Sequence, residues 1–360
     1  MMKRTKHLYI HVPFCKAICF YCDFCHIIYN NDTVIKWLYQ LSKQIKDECN
    51  DQYKTIYIGG GTPSCLSNEE LDGLLSLIDP YTNEVEEYTI EANPESLTED
   101  KIDIIKRHHV NRVSLGVQTT DETLLKTINR HHSFDDVKNV IQMLNDKSLC
   151  NISVDLMYSL PGQTMDMLNR TIDDILSLDV PHISIYSLTV EENSVFGKKG
   201  IDKLDDDTEA SMYELIIERL TDAGYINYEV SNFCKPDMYS RHNMAYWNYE
   251  DFLGLSAGAA GKLSNRRYQI TGDVKRYIED YKTYDEDILL EKEDLMFENI
   301  MMSLRTIYGL DIKMFNKLYD CDFCKIYSKG ISNPLIRIEN DICYCTNKAL
   351  LNSVLMDFMD

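Results

Sequence analysis

Nowhere in the 360 residues do eighteen apolar residues run together, so no helix of this chain is expected to span a bilayer. Positive charge is scarce: 37 Lys and Arg stand against 58 Asp and Glu, a formal net charge of −21. Phosphate backbones and anionic headgroups favour the opposite sign, which argues against nucleic acid or a membrane surface as a partner. Glycine and proline number only 15 and 8, which excludes a fibrous or low-complexity chain, and 44% hydrophobic residues exclude a disordered one. There is no G-K-S/T phosphate loop and no G-x-G-x-x-G dinucleotide fingerprint. The stretch MMKRTKHLYIHVPFCKAIC is basic, but two His, a Pro and no long apolar run spoil it as a secretory signal. A cytoplasmic location is therefore expected, and in that reducing compartment the 12 Cys are not expected to form a disulfide framework.

What is present is an alternation of short apolar runs and helical stretches. Strands are predicted at Leu8–Val12, Thr55–Ile58, Tyr88–Glu91, Arg112–Val117, Ile152–Met157 and Ile183–Leu188. Helices are predicted near 33–48, 67–78, 98–108, 133–147, 164–178 and 206–224. Six β–α units in succession imply an α/β fold with a parallel sheet, either open and doubly wound or a barrel. Near residue 235 the pattern changes to a polar, aromatic stretch and then a more helical tail. The expected domains are 1–235 and 236–360, with a second change of pattern near 290. The tail is expected to hold helices at 272–283, 292–306 and 311–318, a hairpin (Leu335–Ile338 with Ile342–Cys345) and a last helix at 347–358.

Just after the first strand stands Cys15-Lys-Ala-Ile-Cys19-Phe-Tyr-Cys22, spaced C-x3-C-x2-C. Three thiolates within eight residues can wrap one soft-metal centre. A structural zinc site wants four protein ligands, so these three leave a position open, and an iron–sulfur cluster on three Cys leaves one iron free. The competing readings are a partial zinc site or three buried thiols. Cys25 adds a further x2 gap and is read as a neighbour, because a cluster with a working vacancy needs no fourth thiolate. Polar residues then recur where strands end: Gly59-Gly60-Gly61-Thr62-Pro63, Glu91, Gln118 and Asp155. A carboxylate can bind an ammonium or ribose hydroxyls, and Gln or Arg can bind a carboxylate.

The segments YIHVPFC, GGGTPS, EANPES, SLGVQ, Arg130-His131-His132, SVDLMYSLPGQT, HISIYSLTVE, YEVSNF and RHNMAYW together resemble the coproporphyrinogen dehydrogenase-like radical S-adenosylmethionine (SAM) family, over about residues 8–260. The resemblance implies an incomplete (β/α)6 barrel with a smaller, mainly helical C-terminal domain. It implies a 4Fe–4S cluster held by Cys15, Cys19 and Cys22, an electron donor for that cluster, and one or two SAM molecules. Around SAM it places Tyr9, Tyr21, Gly60, Gly61, Thr62, Glu91, Gln118, Arg130 and Asp155.

Two branches share these motifs. The oxygen-independent coproporphyrinogen III dehydrogenases resemble C-x3-C-x2-C-x-C and carry a substantial N-terminal extension, whereas here Phe24 takes the last Cys position and 14 residues precede Cys15. The HemW-like haem chaperones resemble CDF at that point, present as Cys22-Asp23-Phe24, and share an HNxxYW motif, present from His242 to Trp247. That branch implies haem as cargo, delivered to an acceptor apo-haemoprotein. Physically, His242 can offer its imidazole to the iron, Tyr246 and Trp247 can lie against the porphyrin face, and Arg241, Arg266 and Arg267 are candidate partners for the propionates; the competing reading is an aromatic interdomain contact with a hydrogen-bonded His. The alternative is the dehydrogenase or another radical SAM enzyme acting on a tetrapyrrole. Ser159 in SLPGQT and Ser256-Ala-Gly-Ala-Ala260-Gly261 depart from the family's GLPGQT and GAGAHS. The pairs Cys321/Cys324 and Cys343/Cys345 have zinc-compatible spacing, but the resemblance calls for no metal there, and small apolar Cys is the preferred reading.

Overall fold

The computed structural model describes residues 5–49 and 52–359; Met1–Arg4, part of the basic amino-terminal stretch, lie outside that range. All six predicted strands form. They are β1 (His7–Val12), β2 (Thr55–Gly60), β3 (Glu87–Ala92), β4 (Arg112–Gln118), β5 (Ile152–Tyr158) and β6 (His182–Ser187). They pair in sequence order, every neighbour parallel. A parallel pair needs a crossover longer than a tight turn. Helices supply it: α1 (Asn31–Glu48), α2 (Asn68–Ile78), α3 (Glu99–Arg107), α4 (Phe134–Asp146) and α5 (Met165–Ser177), with α6 (Asp206–Asp222) after β6. Side chains fix where these helices start. Asn30, Ser67, Thr98, Ser133, Thr164 and Asp205 each accept a first-turn backbone N–H.

The sheet does not close on itself. Short β7 (Ile226–Asn227) and β8 (Asn232–Cys234) run antiparallel at the β6 edge. At the other edge β9 (Leu253–Leu255) lies parallel to β1. Both faces of a parallel sheet are usually apolar. Here only the helix-facing set is, with Ile10, Ile58, Ile90, Leu115, Val154 and Ile183 buried in the main core. The alternate positions are polar and turn the other way: Tyr57, Glu91, Arg112, Ser114, Asp155 and Ser184 line a cavity inside the curve of the sheet.

The bottom of that cavity is closed by α7 (Arg241–Trp247), a helix the sequence pattern did not predict. The backbone N–H groups of Arg241 and His242 each donate to the Glu87 carboxylate at 2.8 Å, placing negative charge at the positive end of the helix. Glu87 is 3% exposed and begins β3, so the helix is tied to the strand ends.

Beyond residue 235 the side chains pack into two different cores. Leu253, Leu255, Tyr268, Ile270, Tyr277 and Tyr281 belong to the barrel core, and a second core runs from Met296 to Phe358. Gln44 on α1 fixes the first of these segments by accepting from the Ser256 N–H (3.0 Å) and the Tyr277 hydroxyl (2.8 Å). Beyond 236 there are strands the helical tail pattern hid. β10 (Ala260–Leu263), β11 (Arg266–Ile270) and β12 (Tyr284–Leu289) form an antiparallel sheet. The predicted hairpin forms as β14 (Ile336–Glu339) and β15 (Ile342–Cys345), with β13 (Leu310–Asp311) beside β15. The last helix is broken into Leu351–Leu355 flanked by two 3-10 turns.

Candidate functional site

The loop after β1 carries the thiols, and backbone bonds fix it along its length. Phe14–Cys15 pairs with Ile27–Ile28, and the Tyr29 N–H donates to the Cys15 carbonyl at 2.9 Å. The Phe20 N–H donates to the Ile128 carbonyl at 3.1 Å, while the Phe20 carbonyl accepts from Phe196 N–H at 2.9 Å. Cys15, Cys19 and Cys22 all line one cavity of about 630 Å³, which runs from this loop down the polar inner face of the strands. Among the described residues no three His, Cys, Asp or Glu side chains converge on a single-ion site. Three thiols around one open cavity fit a polynuclear cluster with an uncommitted position.

Two further features fit that occupant. A Cβ on Gly61 would meet the Phe14 carbonyl oxygen at 2.6 Å and Cys15 Sγ at 3.0 Å, so only glycine lets the β2 end sit against the thiol loop. Arg130, 7% exposed, donates to Cys19 Sγ at 3.7 Å and to Asn93 Oδ1 at 2.9 Å, and reaches the Gly116 carbonyl as well. Burial pushes the Cys22 thiol up to about 12, so metal must displace a proton from it. Cys25 faces elsewhere. Its thiol donates to the Gly272 carbonyl at 3.1 Å, in the wall formed by the tail.

Below the thiols lie the carboxylates. Glu91 accepts from the Tyr57 hydroxyl (2.7 Å) and the Gly60 N–H (3.0 Å), yet burial lifts its carboxyl from the ordinary 4.5 to about 7. Asp155 accepts from Ser114 (2.8 Å) and Ser153 (3.3 Å), and burial raises it too. Gln118 sits at φ +66° where the β4–β5 register shifts, a bulge that turns its side chain into the cavity. Thr62 and Tyr21 complete the wall. The cavity lining carries four carboxyl groups, Asp23, Glu91, Asp155 and Glu191, and two guanidinium groups, Arg112 and Arg130, so it can meet both an ammonium and a carboxylate of one ligand.

The raised Glu91 has a consequence for stability. The folded state keeps a proton that the unfolded chain releases above about 4.5, so folding binds protons and stability falls as pH rises from about 4.5 to about 7. In the cofactor-free protein, Glu91→Gln should remove that part of the slope, read from urea unfolding at a series of pH values. An unchanged slope would refute the raised carboxyl.

Eleven of the thirteen residues expected from the sequence line the cavity; Tyr9 and His242 do not. The Tyr9 hydroxyl pairs with His11 Nδ1 at 2.9 Å, and its ring packs 6.1 Å from that of Tyr57, one layer behind the wall. His242 lies outside the cavity lining. It is fully buried, with Nδ1 2.7 Å from Thr55 Oγ1 and Nε2 2.7 Å from the Tyr246 hydroxyl, so both ring nitrogens are engaged. From the HNxxYW motif it is Asn243 that reaches the cavity. The three expected propionate partners already hold carboxylates: Arg241 with Glu86, Arg266 with Asp287, and Arg267 with Glu286 and Glu298.

Sequence reasoning missed Arg112. It is 2% exposed, lines the cavity floor, and its Nε has no hydrogen-bond partner. The signal was available: Arg112, Ser114, Gly116 and Gln118 alternate with Val113, Leu115 and Val117 along β4. The four tail cysteines gather no metal site among the described residues; Cys343 is buried apolar, and the Cys345 thiol donates to the Asn347 carbonyl.

Comparison with known proteins agrees with this geometry. Residues 9–175 match the family model of the radical SAM superfamily. The heme chaperone HemW of Lactococcus lactis subsp. lactis is 37% identical, over 92% of this chain and 90% of its own. HemW of Bacillus subtilis is also 37% identical, over 98% and 99%. The coproporphyrinogen III oxidase HemN from Escherichia coli, a radical SAM enzyme, superposes with a TM-score of 0.86 at 18% identity, over 98% of this chain and 90% of that one. At that identity the likeness concerns fold alone.

Proposed function

The chain belongs to the HemW family of the radical SAM superfamily, and on that premise we propose that it binds haem and hands it to an acceptor apo-haemoprotein, with a 4Fe–4S cluster and SAM housed in the barrel cavity. One observation carries the reading. The identity to heme chaperone relatives extends over 98% of the chain, well past residue 175 where the radical SAM match ends.

In this reading Cys15, Cys19 and Cys22 would hold the cluster, which would call for an outside electron donor as a partner. When bound, cluster and SAM supply one-electron chemistry at a sulfonium. The chain's own groups bind and orient. Glu91 and Asp155 accept from an ammonium and from ribose hydroxyls, Gln118 and Arg130 donate to a carboxylate, and Thr62 with Gly60 and Gly61 shapes the passage beside Cys15. Tyr21 closes the wall under the thiol loop. No described helix is long and apolar enough to cross a membrane, and we assign the exchange of haem to the cytoplasm.

The deciding experiment compares two activities of the anaerobically reconstituted protein. Haem added to it should give a saturable Soret band and pass to an apo-haemoprotein, while coproporphyrinogen III with SAM and reductant should yield no protoporphyrinogen. Robust turnover, or no Soret response, would reject the chaperone reading in favour of a tetrapyrrole enzyme.

A further inference from the structure

If haem is the cargo, its iron needs a ligand, and His242 is spent on Thr55 and Tyr246. The other histidines narrow the choice. His7, His11, His108 and His182 are each held through both ring nitrogens. His26, alone among the nine, lines the central cavity.

The state of that imidazole follows from its partner. His26 Nδ1 lies 2.6 Å from the Phe24 carbonyl oxygen. A carbonyl only accepts, so Nδ1 carries the hydrogen in this contact, which leaves Nε2 as the ring nitrogen placed to meet a metal. A ring nitrogen held to a backbone carbonyl through N–H is the arrangement that orients a metal-binding histidine and raises its basicity. The same Nδ1 is 3.9 Å from Cys22 Sγ, so the ring is anchored to the thiol loop.

The surroundings suit a flat apolar group. Phe24, on the same loop and lining the same cavity, is 67% exposed. Tyr186, at the end of β6, also lines it and is 42% exposed. Two partly exposed aromatic rings on the lining of one cavity offer a porphyrin apolar faces to lie against. We propose that His26 Nε2 is the axial ligand of the haem iron, with the porphyrin seated at the cavity mouth against Phe24 and Tyr186. This placement rests on the haem reading above, and it gives the HNxxYW helix a structural task in place of ligation.

The test titrates ferric haem into the cluster-loaded wild type, His26→Ala and His242→Asn, following the Soret band and the haem electron paramagnetic resonance. His26 is half-buried on a loop, so its truncation leaves the fold intact. Wild type and His242→Asn should share one nitrogen-ligated spectrum. His26→Ala should lose it, bind at least about tenfold more weakly, and regain the spectrum on addition of imidazole. An unchanged spectrum and affinity in His26→Ala would overturn the proposal while leaving haem binding standing. A change in the cluster's own resonance in His26→Ala before haem is added would overturn it differently, by making His26 a cluster ligand. Failure of the wild type to take up haem would sink the chaperone reading itself, and the ligand assignment with it.

Discussion

Cys15→Ala, Cys19→Ala and Cys22→Ala, reconstituted anaerobically with iron and sulfide, are each expected to give protein without iron–sulfur absorbance, whereas Cys25→Ala should load as wild type does. The difference lies in where the sulfurs are held. The first three thiols line the barrel cavity from one pinned loop, with Arg130 against Cys19 and the Gly61 backbone against Cys15. The Cys25 thiol is turned into the tail, donating to the Gly272 carbonyl, and a Cβ on Gly258 would come within 2.5 Å of the Cys25 Cβ. Gly258 itself is at φ +83°, a conformation glycine accepts readily, so this contact is part of the packing between loop and tail. A cluster bound by three thiolates has none to spare, so loss of one ligand should be close to complete rather than graded. Visible absorbance and iron content decide the matter. Cluster retained in any of the first three variants, or lost in Cys25→Ala, would show that the ligand set has been misassigned. A second readout separates cluster from function: SAM should perturb the spectrum of loaded Cys25→Ala as it does that of wild type.

Much of this site can be read directly from the chain because its parts are local. The C-x3-C-x2-C run, the Gly59–Gly61 triplet and the strand-end Glu91, Gln118 and Asp155 each occupy a few residues, and parallel topology then brings strand ends together. The inner wall was as legible in principle. HLYIHV, EYTIEA, RVSLGVQ and HISIYS all alternate apolar with polar, which a sheet covered by helices on both sides would not do. That period-two pattern points to a polar interior and would have found Arg112. What no local pattern carries is the placement of the segment after residue 235. β9 joins β1 across some 245 residues (Leu8 with Leu253), and α7 docks under strands it follows by nearly 190 (Thr55 with His242). The motif RHNMAYW reads as a ligand-bearing surface until that docking is seen, because burial of His242 is decided by Thr55 and Tyr246 rather than by its own neighbours.

That docking sets the largest expected effect on stability. Glu87 is a buried carboxylate with three donors on it: the N–H groups of Arg241 and His242 at 2.8 Å each, and Ser240 Oγ at 3.4 Å. Its field also reaches the buried Arg112 guanidinium, whose Nε has no hydrogen-bond partner among the described residues. Glu87→Ala would therefore strip two amides of their acceptor and leave Arg112 without its strongest opposing charge. Each buried donor left unsatisfied costs about 1–3 kcal/mol, and Glu87→Ala orphans two, so about 2–6 kcal/mol is expected. Glu87→Gln keeps one acceptor oxygen and most of the volume, so about 1–3 kcal/mol is expected there. Urea unfolding gives the totals, and amide hydrogen exchange at Arg241 and His242 shows whether the loss is local to α7. The helix is also the floor of the cavity through Asn243. Both variants should accordingly bind SAM more weakly than their remaining folded fraction accounts for, with Glu87→Ala the weaker. If Glu87→Ala unfolds like wild type and keeps its amide protection, α7 is held by its apolar contacts alone, and the polar chain from Glu87 through His242 to Thr55 is not what holds the helix under the cavity.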